Sequence, residues 1–354
     1  MPHDFRKKLG LTIPVIQAPM AGTSTPALAA AVSNSGGLGS IAVGAAGAVD
    51  ADRMITLTRQ LTDRPFNVNV FCHRVATRDP EAELAWLKRL SPVFQSFGVE
   101  PPAGLREIYT SFKADEAMLG VLLRHAPAVV SFHFGLPAGS IVRSLKDSGI
   151  MLLATVTSLD EARQAAEAGV DALVAQGYEA GGHRGVFDEN GPDDRLGTFA
   201  LVRLLADRQA LPVIAAGGIM DGAGIAAALA LGAMAAQMGT AFIACPESSA
   251  DASYRAALSS DSAYHTTMTR VISGRPARCL SNAFTRFGRN IADTDVCCYP
   301  TAYDAGKALS EAAKARGESG YGAQWAGQGA PLSRALPASE LMSVLQIELG
   351  RTAK

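Results

Sequence analysis

The strongest constraint on this chain is a rhythm. Eight short apolar runs, over 13–20, 36–43, 66–71, 129–135, 150–156, 171–175, 211–218 and 235–242, are separated by stretches with helical patterning. Short apolar runs bounded by turn residues read as buried strands, and their alternation with helices implies a parallel sheet with helical crossovers. Eight is the count at which such a sheet closes. The pattern therefore predicts an α/β fold of the (β/α)8 TIM-barrel class. A doubly wound open sheet is the alternative, and nothing in that architecture requires eight strands.

Local punctuation agrees with the rhythm. Thr25 is placed to cap a helix whose first position is Pro26. A second helix, over 50–61, opens with Asp50, and a later one begins at the capping pattern Ser158-Leu-Asp-Glu161 and stops at Gly169. Helical patterns are also expected near 81–90, 104–125, 138–147 and 221–231, with a closing helix over 336–349. After the eighth run the alternation ends, and residues 246–321 are richer in Ser, Thr, Arg and Tyr. They are expected to form a smaller, mostly helical lobe over the barrel mouth. The barrel itself would span 1–245 and be completed by 322–354.

Composition narrows the class of partner. Hydrophobic residues make up 48% of the 354 and charged residues 18%, which suits a large packed core. A net charge of −1 without like-charge runs speaks against nucleic acid or an anionic membrane. Cys72, Cys245, Cys279, Cys297 and Cys298 lack metal-finger spacing, so no metal site is expected and the thiols read as reduced, in a cytoplasmic protein. No signal-peptide core follows the first residues, and the longest apolar stretch, 224–236, is interrupted by Gly232 and too short to span a bilayer. The oligomeric state stays open.

The chemistry concentrates at strand ends. Residues 175–185, Ala-Gln-Gly-Tyr-Glu-Ala-Gly-Gly-His-Arg-Gly, place His183 in a glycine-bracketed loop beyond the sixth run. In a parallel barrel that is the catalytic face. The seventh run ends in Gly217-Gly218 and the eighth in Gly239-Thr240. An isolated Gly-Gly is more often a tight turn, but two such ends on the last pair of strands are suited to a phosphate. Gln17, Asn69, His133 and Gln176 fall at or near other strand ends. Any one of them is equally well explained by a satisfied core network; four on one rim suit a ligand with donors and acceptors, such as an isoalloxazine ring. Tyr299, Tyr303 and Lys307 recur every four residues, so on a helix they would share one face fit for an organic anion. Spacing alone would also allow an ordinary solvated face. Tyr109 is uninformative by itself, and Tyr254, Tyr264 and Tyr321 read as ordinary tyrosines of the second lobe.

Five motifs together resemble one family. Gln17-Ala-Pro-Met-Ala-Gly22, Ser131-Phe-His-Phe-Gly135, Gly177 to Gly185, Ala215-Ala-Gly-Gly-Ile219 and Gln237-Met-Gly-Thr240 are similar to those of nitronate monooxygenases of the bacterial class I, formerly called 2-nitropropane dioxygenases. The resemblance spans essentially the whole chain. It implies FMN in the barrel and oxidation of alkyl nitronates, propionate 3-nitronate among them, by O2 to a carbonyl compound with nitrite or nitrate. On that resemblance Asn69, Gln176, Gly181, Gly218, Gln237, Met238, Gly239 and Thr240 correspond to cofactor contacts, and Gln17, Met20 and Gly217, at neighbouring strand ends, are expected to join them. His183 corresponds to the catalytic histidine, and Tyr109, His133, Tyr299, Tyr303 and Lys307 to the substrate pocket. Thr23 departs from the pattern, standing where many relatives have a second glycine. Enoyl-acyl-carrier-protein reductases and quinone reductases share the barrel and the Gly-Gly-His loop, so an NAD(P)H-dependent flavin reductase is the alternative and a non-enzymatic flavoprotein a third reading. The anion-binding tyrosines and lysine favour nitronate oxidation.

Overall fold

All eight expected strands form in a computed structural model of the chain, which describes residues 2–75 and 77–352. Residues 1 and 354, the outer ends of the expected barrel segments, lie outside it. In chain order the strands are β1 (Val15–Gln17), β2 (Gly39–Ala42), β3 (Phe66–Phe71), β4 (Val129–His133), β5 (Met151–Val156), β6 (Ala172–Gln176), the two-residue β7 (Gly182–His183), β8 (Val213–Ala216), β9 (Ala235–Met238), β10 (Thr266–Thr269) and β11 (Ala277–Leu280). Eight of them make one parallel sheet in the order β1-β9-β8-β6-β5-β4-β3-β2. The ring closes where the Gln17 amide donates to the Leu38 carbonyl at 2.9 Å and the Leu38 amide donates to Val15 at 3.0 Å. This is a (β/α)8 barrel.

Strand parity sorts the side chains. Successive residues of a strand point to opposite faces. Val68, Val130, Phe132, Leu173, Ala175, Ala215 and Ala236 pack outward against the helices. Their neighbours Ile16, Val129, Leu153, Ala172, Val174, Ile214 and Ala235 fill the interior, with Phe5 and Leu9 closing the floor. The interior parity carried one step further along each strand brings up Asn69, Ser131, Thr155, Gln176, Ala216 and Gln237, so the inside of the barrel becomes polar towards the C-terminal ends.

The helices start where their capping residues stand. The Thr25 side chain accepts from the Leu28 amide ahead of Pro26–Asn34, Ser158 caps Leu159–Ala168, and Asp221 caps Gly222–Ala230. Gly169 ends the second of these in the left-handed region, as expected. The helical pattern expected over 104–125 is only partly realised. The helix is Glu116–His125, preceded by a short turn at Phe112–Ala114, and the chain from Gly104 to Ser111 is irregular. Asp115 caps that helix through the Met118 amide, which fixes its start well after Tyr109.

The added lobe contains helices and also a small antiparallel sheet, β10-β11-β7. The sequence between 246 and 321 has no alternation long enough to announce these four-residue strands. Helix Thr301–Lys314 buries Ala302, Ala305 and Leu309 against Trp86, Leu87, Leu90 and Phe94 of helix Pro80–Ser96. A helix that follows β3 thus shares one apolar cluster with the lobe. No helix among the described residues is long and apolar enough to cross a membrane.

Candidate active site

The barrel mouth opens into a cavity of about 340 Å³. The interior-parity residues Asn69, Thr155, Gln176, Ala216 and Gln237 reach it from the strands, together with Phe71 and His133. Of the residues singled out from sequence, Met20, Asn69, Tyr109, His133, Gln176, Gly181, His183, Gly217, Gly218, Gln237, Met238, Gly239, Thr240, Tyr299, Tyr303 and Lys307 all border it. Gln17 stands apart. It has the outward parity of Val15, and its amide is spent on the Ser24 hydroxyl at 2.9 Å and the Ser40 amide at 2.8 Å. Gln17 braces the turn that carries Met20; it does not face the cavity. Met238 also packs outward, although it borders the cavity at the strand end.

One end of the cavity is built from backbone. Gly217 and Gly218 have φ of 123° and 72°, values that L side chains rarely adopt. A Cβ on Gly217 would lie 2.7 Å from the Thr198 hydroxyl, so the turn admits only glycine. Among the described residues the amides of Gly218 and Gly239 donate to no protein acceptor. Unpaired N–H groups on two adjacent strand ends form an acceptor-binding cradle. Thr240 Oγ1 accepts from the Gly327 amide at 3.0 Å, which ties the segment after the lobe to this end.

The other end is aromatic and carries the histidine. Residues 182–183 are the strand β7, which pairs antiparallel with β11 through Ala277 and Arg278. The expected loop is therefore stitched to the lobe. Its other side is fixed to the barrel, because Gln176 Nε2 donates to the His183 carbonyl at 3.0 Å and its Oε1 accepts from Gly185 at 2.7 Å. Much of the hydrogen-bonding capacity expected to meet a ligand is thus used on the loop. Arg184 turns away from the mouth to a two-pronged ion pair with Asp193, 2.8 and 2.9 Å.

His183 Nε2 lies 2.9 Å from the Ser273 hydroxyl, and that hydroxyl is 3.2 Å from the Arg275 carbonyl as its acceptor. A serine that donates to the carbonyl accepts from the ring, which assigns the proton to Nε2 and leaves Nδ1 as a lone pair. The ring sits among Phe134, Tyr299, Tyr303 and Trp325, with centroids 5.0 to 6.0 Å away. Burial, followed by the charges of His133 and Arg275, lowers its pKa to about 3. Burial and Arg275 do the same to His133, to about 3, and burial and Arg275 bring His73 to about 4. The histidine is neutral at physiological pH, so it does not supply a positive charge.

That charge comes from Lys307. Its ammonium lies 4.9 Å from the Tyr109 ring centre and 5.5 Å from that of Tyr303, a double cation–π arrangement. It has no salt bridge among the described residues, and burial holds its pKa below the usual lysine range. Burial raises the pKa of Tyr109, Tyr299 and Tyr303, so all three remain hydroxyl donors. The four-residue spacing reaches this result by a different route from the one expected. Tyr303 and Lys307 share a face of helix Thr301–Lys314, but Tyr299 precedes it and enters the aromatic cluster from the Tyr299-Pro300 turn, whose peptide is cis.

Some lining residues carried no sequence signal. Tyr254 borders the cavity and donates its hydroxyl to the Trp325 carbonyl, whereas Tyr264 is exposed and Tyr321 packs on Phe97 and Phe284. Phe134 takes φ of 71°, rare for a bulky residue, and Arg275 sits over its ring at 4.2 Å. Arg275 is fully buried and ion-paired with Glu189. Among the described residues no cluster of His, Cys, Asp and Glu could hold a metal ion.

A barrel whose strand ends converge on a glycine cradle, a neutral histidine and an unpaired lysine has the layout of a (β/α)8-barrel enzyme with its site at the C-terminal face. Residues 4–348 match the family model described as nitronate monooxygenase. The chain belongs to the nitronate monooxygenase family, a flavin-dependent family of enzymes. It is 62% identical over 341 residues to a nitronate monooxygenase of Paraburkholderia phytofirmans, covering 96% of this chain and 93% of that one. It is 55% identical over 349 residues to a nitronate monooxygenase of Pseudomonas aeruginosa, with 99% of both chains covered. A solved structure of nitroalkane oxidase from Streptomyces ansochromogenes matches with a TM-score of 0.89 and 39% identity, over 98% of this chain and 99% of that one.

Proposed function

We propose that this enzyme binds FMN non-covalently and uses O2 to oxidise small alkyl nitronates, with carboxylate-bearing ones such as propionate 3-nitronate preferred, releasing a carbonyl compound and nitrite or nitrate. The observation that carries the reading is the polarity of the cavity: unpaired backbone donors of Gly218 and Gly239 at one end, Lys307 with three phenols at the other. The donor set of the first end fits a terminal phosphate, and a phosphate seated there supports FMN over FAD. Asn69 Nδ2 is held by Ser131 at 2.9 Å, which turns Oδ1 into a fixed acceptor for a ring N–H. Met20, Gly181, Gly217, Gln237, Met238 and Thr240 complete the cofactor wall. A bound flavin would supply the electron-transfer chemistry between substrate and O2.

The residues of the chain position and neutralise. Lys307 balances the substrate's negative charge, while Tyr109, Tyr299 and Tyr303 donate hydrogen bonds and exclude water from the reacting carbon. A preformed nitronate has already lost its α-proton, so no strong base is required. His183 Nδ1, as a lone pair on a neutral ring, fits a positioning role and is too weak a base to deprotonate a nitroalkane efficiently near pH 7. In this reading the barrel, 1–245 with 322–354, holds the cofactor, and the lobe at 246–321 supplies substrate contacts. We place the enzyme in the cytoplasm, a reading supported by its five unpaired cysteines.

The test is oxygen uptake by the purified yellow protein with propionate 3-nitronate, set beside NADH oxidation under the same conditions, with the cofactor released by heat and identified. Oxygen uptake that greatly exceeds NADH oxidation, with FMN in the supernatant, is the expected result. Faster NADH oxidation, or release of FAD, overturns the proposal.

A further inference from the structure

A second cavity, of about 200 Å³, lies beyond the first and shares Tyr254, Tyr303 and Lys307 with it. Its remaining walls combine the polar side chains of Ser253, Ser310, Ser319, Gln324, Lys314 and Asp251 with apolar surface that includes Ile272 and Ala323. Helix Thr301–Lys314 runs along both cavities. Tyr303, Lys307, Ser310 and Lys314 lie on one face, and Lys307 and Lys314 are seven residues apart, about 10 Å along the axis.

The polar groups of this cavity divide into two sets. Asp251 is already satisfied: its carboxylate accepts from Lys314 at 2.7 Å, from Ser253 at 2.7 Å and from the Tyr254 amide at 2.8 Å. Ser310, Ser319 and Gln324 are not, since among the described residues their side chains make no hydrogen bond. Gln324 is only 8% exposed, and a buried amide left without a protein partner faces something else. The cavity therefore presents two free hydroxyls, a free amide and the unpaired Lys307, while its single carboxylate is neutralised. That donor set suits a carboxylate.

We propose that the second cavity receives the carboxylate tail of ω-carboxyalkyl nitronates longer than propionate 3-nitronate, threaded past Tyr303 and Lys307 while the nitronate carbon remains beside His183. This inference rests on the nitronate-oxidase reading above. It makes the chain length of an acidic substrate, rather than its apolar bulk, the property that the lobe selects.

The experiment is a length series by oxygen uptake on the flavin-loaded enzyme. The nitronates of 3-nitropropanoate, 5-nitropentanoate and 6-nitrohexanoate are compared with those of 1-nitropentane and 1-nitrohexane. The unaltered enzyme is expected to keep a low KM across the acids and a higher KM for the matched tail-free compounds. Gln324→Leu removes one donor to a charged group and should raise KM for the six-carbon acid roughly tenfold, with a small change for 3-nitropropanoate. Ser310→Phe fills the cavity and should act in the same direction. Long acids that bind no better than their tail-free counterparts in the unaltered enzyme overturn the inference, as does an equal effect of Gln324→Leu on short and long acids. If Ser310→Phe fails to fold, the length series and Gln324→Leu still decide. Absence of turnover with every nitronate refutes the functional reading itself, a result distinct from a missing length dependence.

Discussion

Replacing Lys307 by methionine removes one charge and keeps most of the side chain's reach. The ammonium stands over two aromatic rings at 4.9 and 5.5 Å with no carboxylate bound to it, so it is free to meet a substrate anion. A hydrogen bond to a charged group contributes about 1.5–3 kcal/mol when shielded from water. Lys307 is exposed where it meets the two cavities, and solvent screening reduces this to about 1–2 kcal/mol. Converted to affinity, that is about a 5- to 30-fold loss. The loss should fall on KM for propionate 3-nitronate, whose carboxylate reaches the lysine, and much less on the nitronate of 1-nitropropane. Steady-state oxygen uptake with both substrates, at ionic strengths bracketing the physiological value, makes the measurement. Equal KM changes for the two substrates would refute the assignment of Lys307 to the carboxylate and return it to a solvated helix face.

Two further outcomes concern the groups around the histidine. His73, His133 and His183 have folded-state pKa values of about 4, 3 and 3, below the unfolded value of about 6.5. The unfolded chain therefore binds more protons between those limits, and the melting temperature should fall as pH drops from 6.5 towards 4; a melting temperature unchanged between pH 7 and 4.5 would contradict their burial as neutral rings. Glu189→Gln leaves the buried Arg275 guanidinium without its ion-pair partner, which should cost about 3 kcal/mol in chemical denaturation, and a loss below about 1 kcal/mol would mean that the pair is solvated.

The barrel was legible because its information is local. Each strand needs only a short apolar run, and each helix start only a Thr25, Ser158 or Asp221 in the right place. Strand parity was equally available: Asn67 and Asn69 alternate with Val68 and Val70, and the same alternation from Val15 and Ile16 places Gln17 outside, where the structure finds it. Nearness to a strand end puts Gln17 at the rim, and parity turns its side chain away from the cavity. Elsewhere the deciding contacts lie far apart in sequence. Tyr254 joins the cavity because Trp325, 71 positions later, takes its hydroxyl. Ser273 reaches His183 across 90 positions. The irregular run before Phe112 reads as helix by composition, and only the cap at Asp115 places the true start.

The attachment of His183 on two sides sets how this mouth can open. Its carbonyl belongs to the barrel through Gln176, while its backbone and ring belong to the lobe through β11 and Ser273. Lifting the lobe as a rigid cap would tear β7 from one of the two, so lobe and barrel are coupled at the histidine. The turn through Met20 to Thr23 is held as well, since the Ser249 amide and hydroxyl donate to the Thr23 and Gly22 carbonyls at 3.0 and 2.9 Å. The histidine is a fixed wall of the site, held in one geometry from two sides.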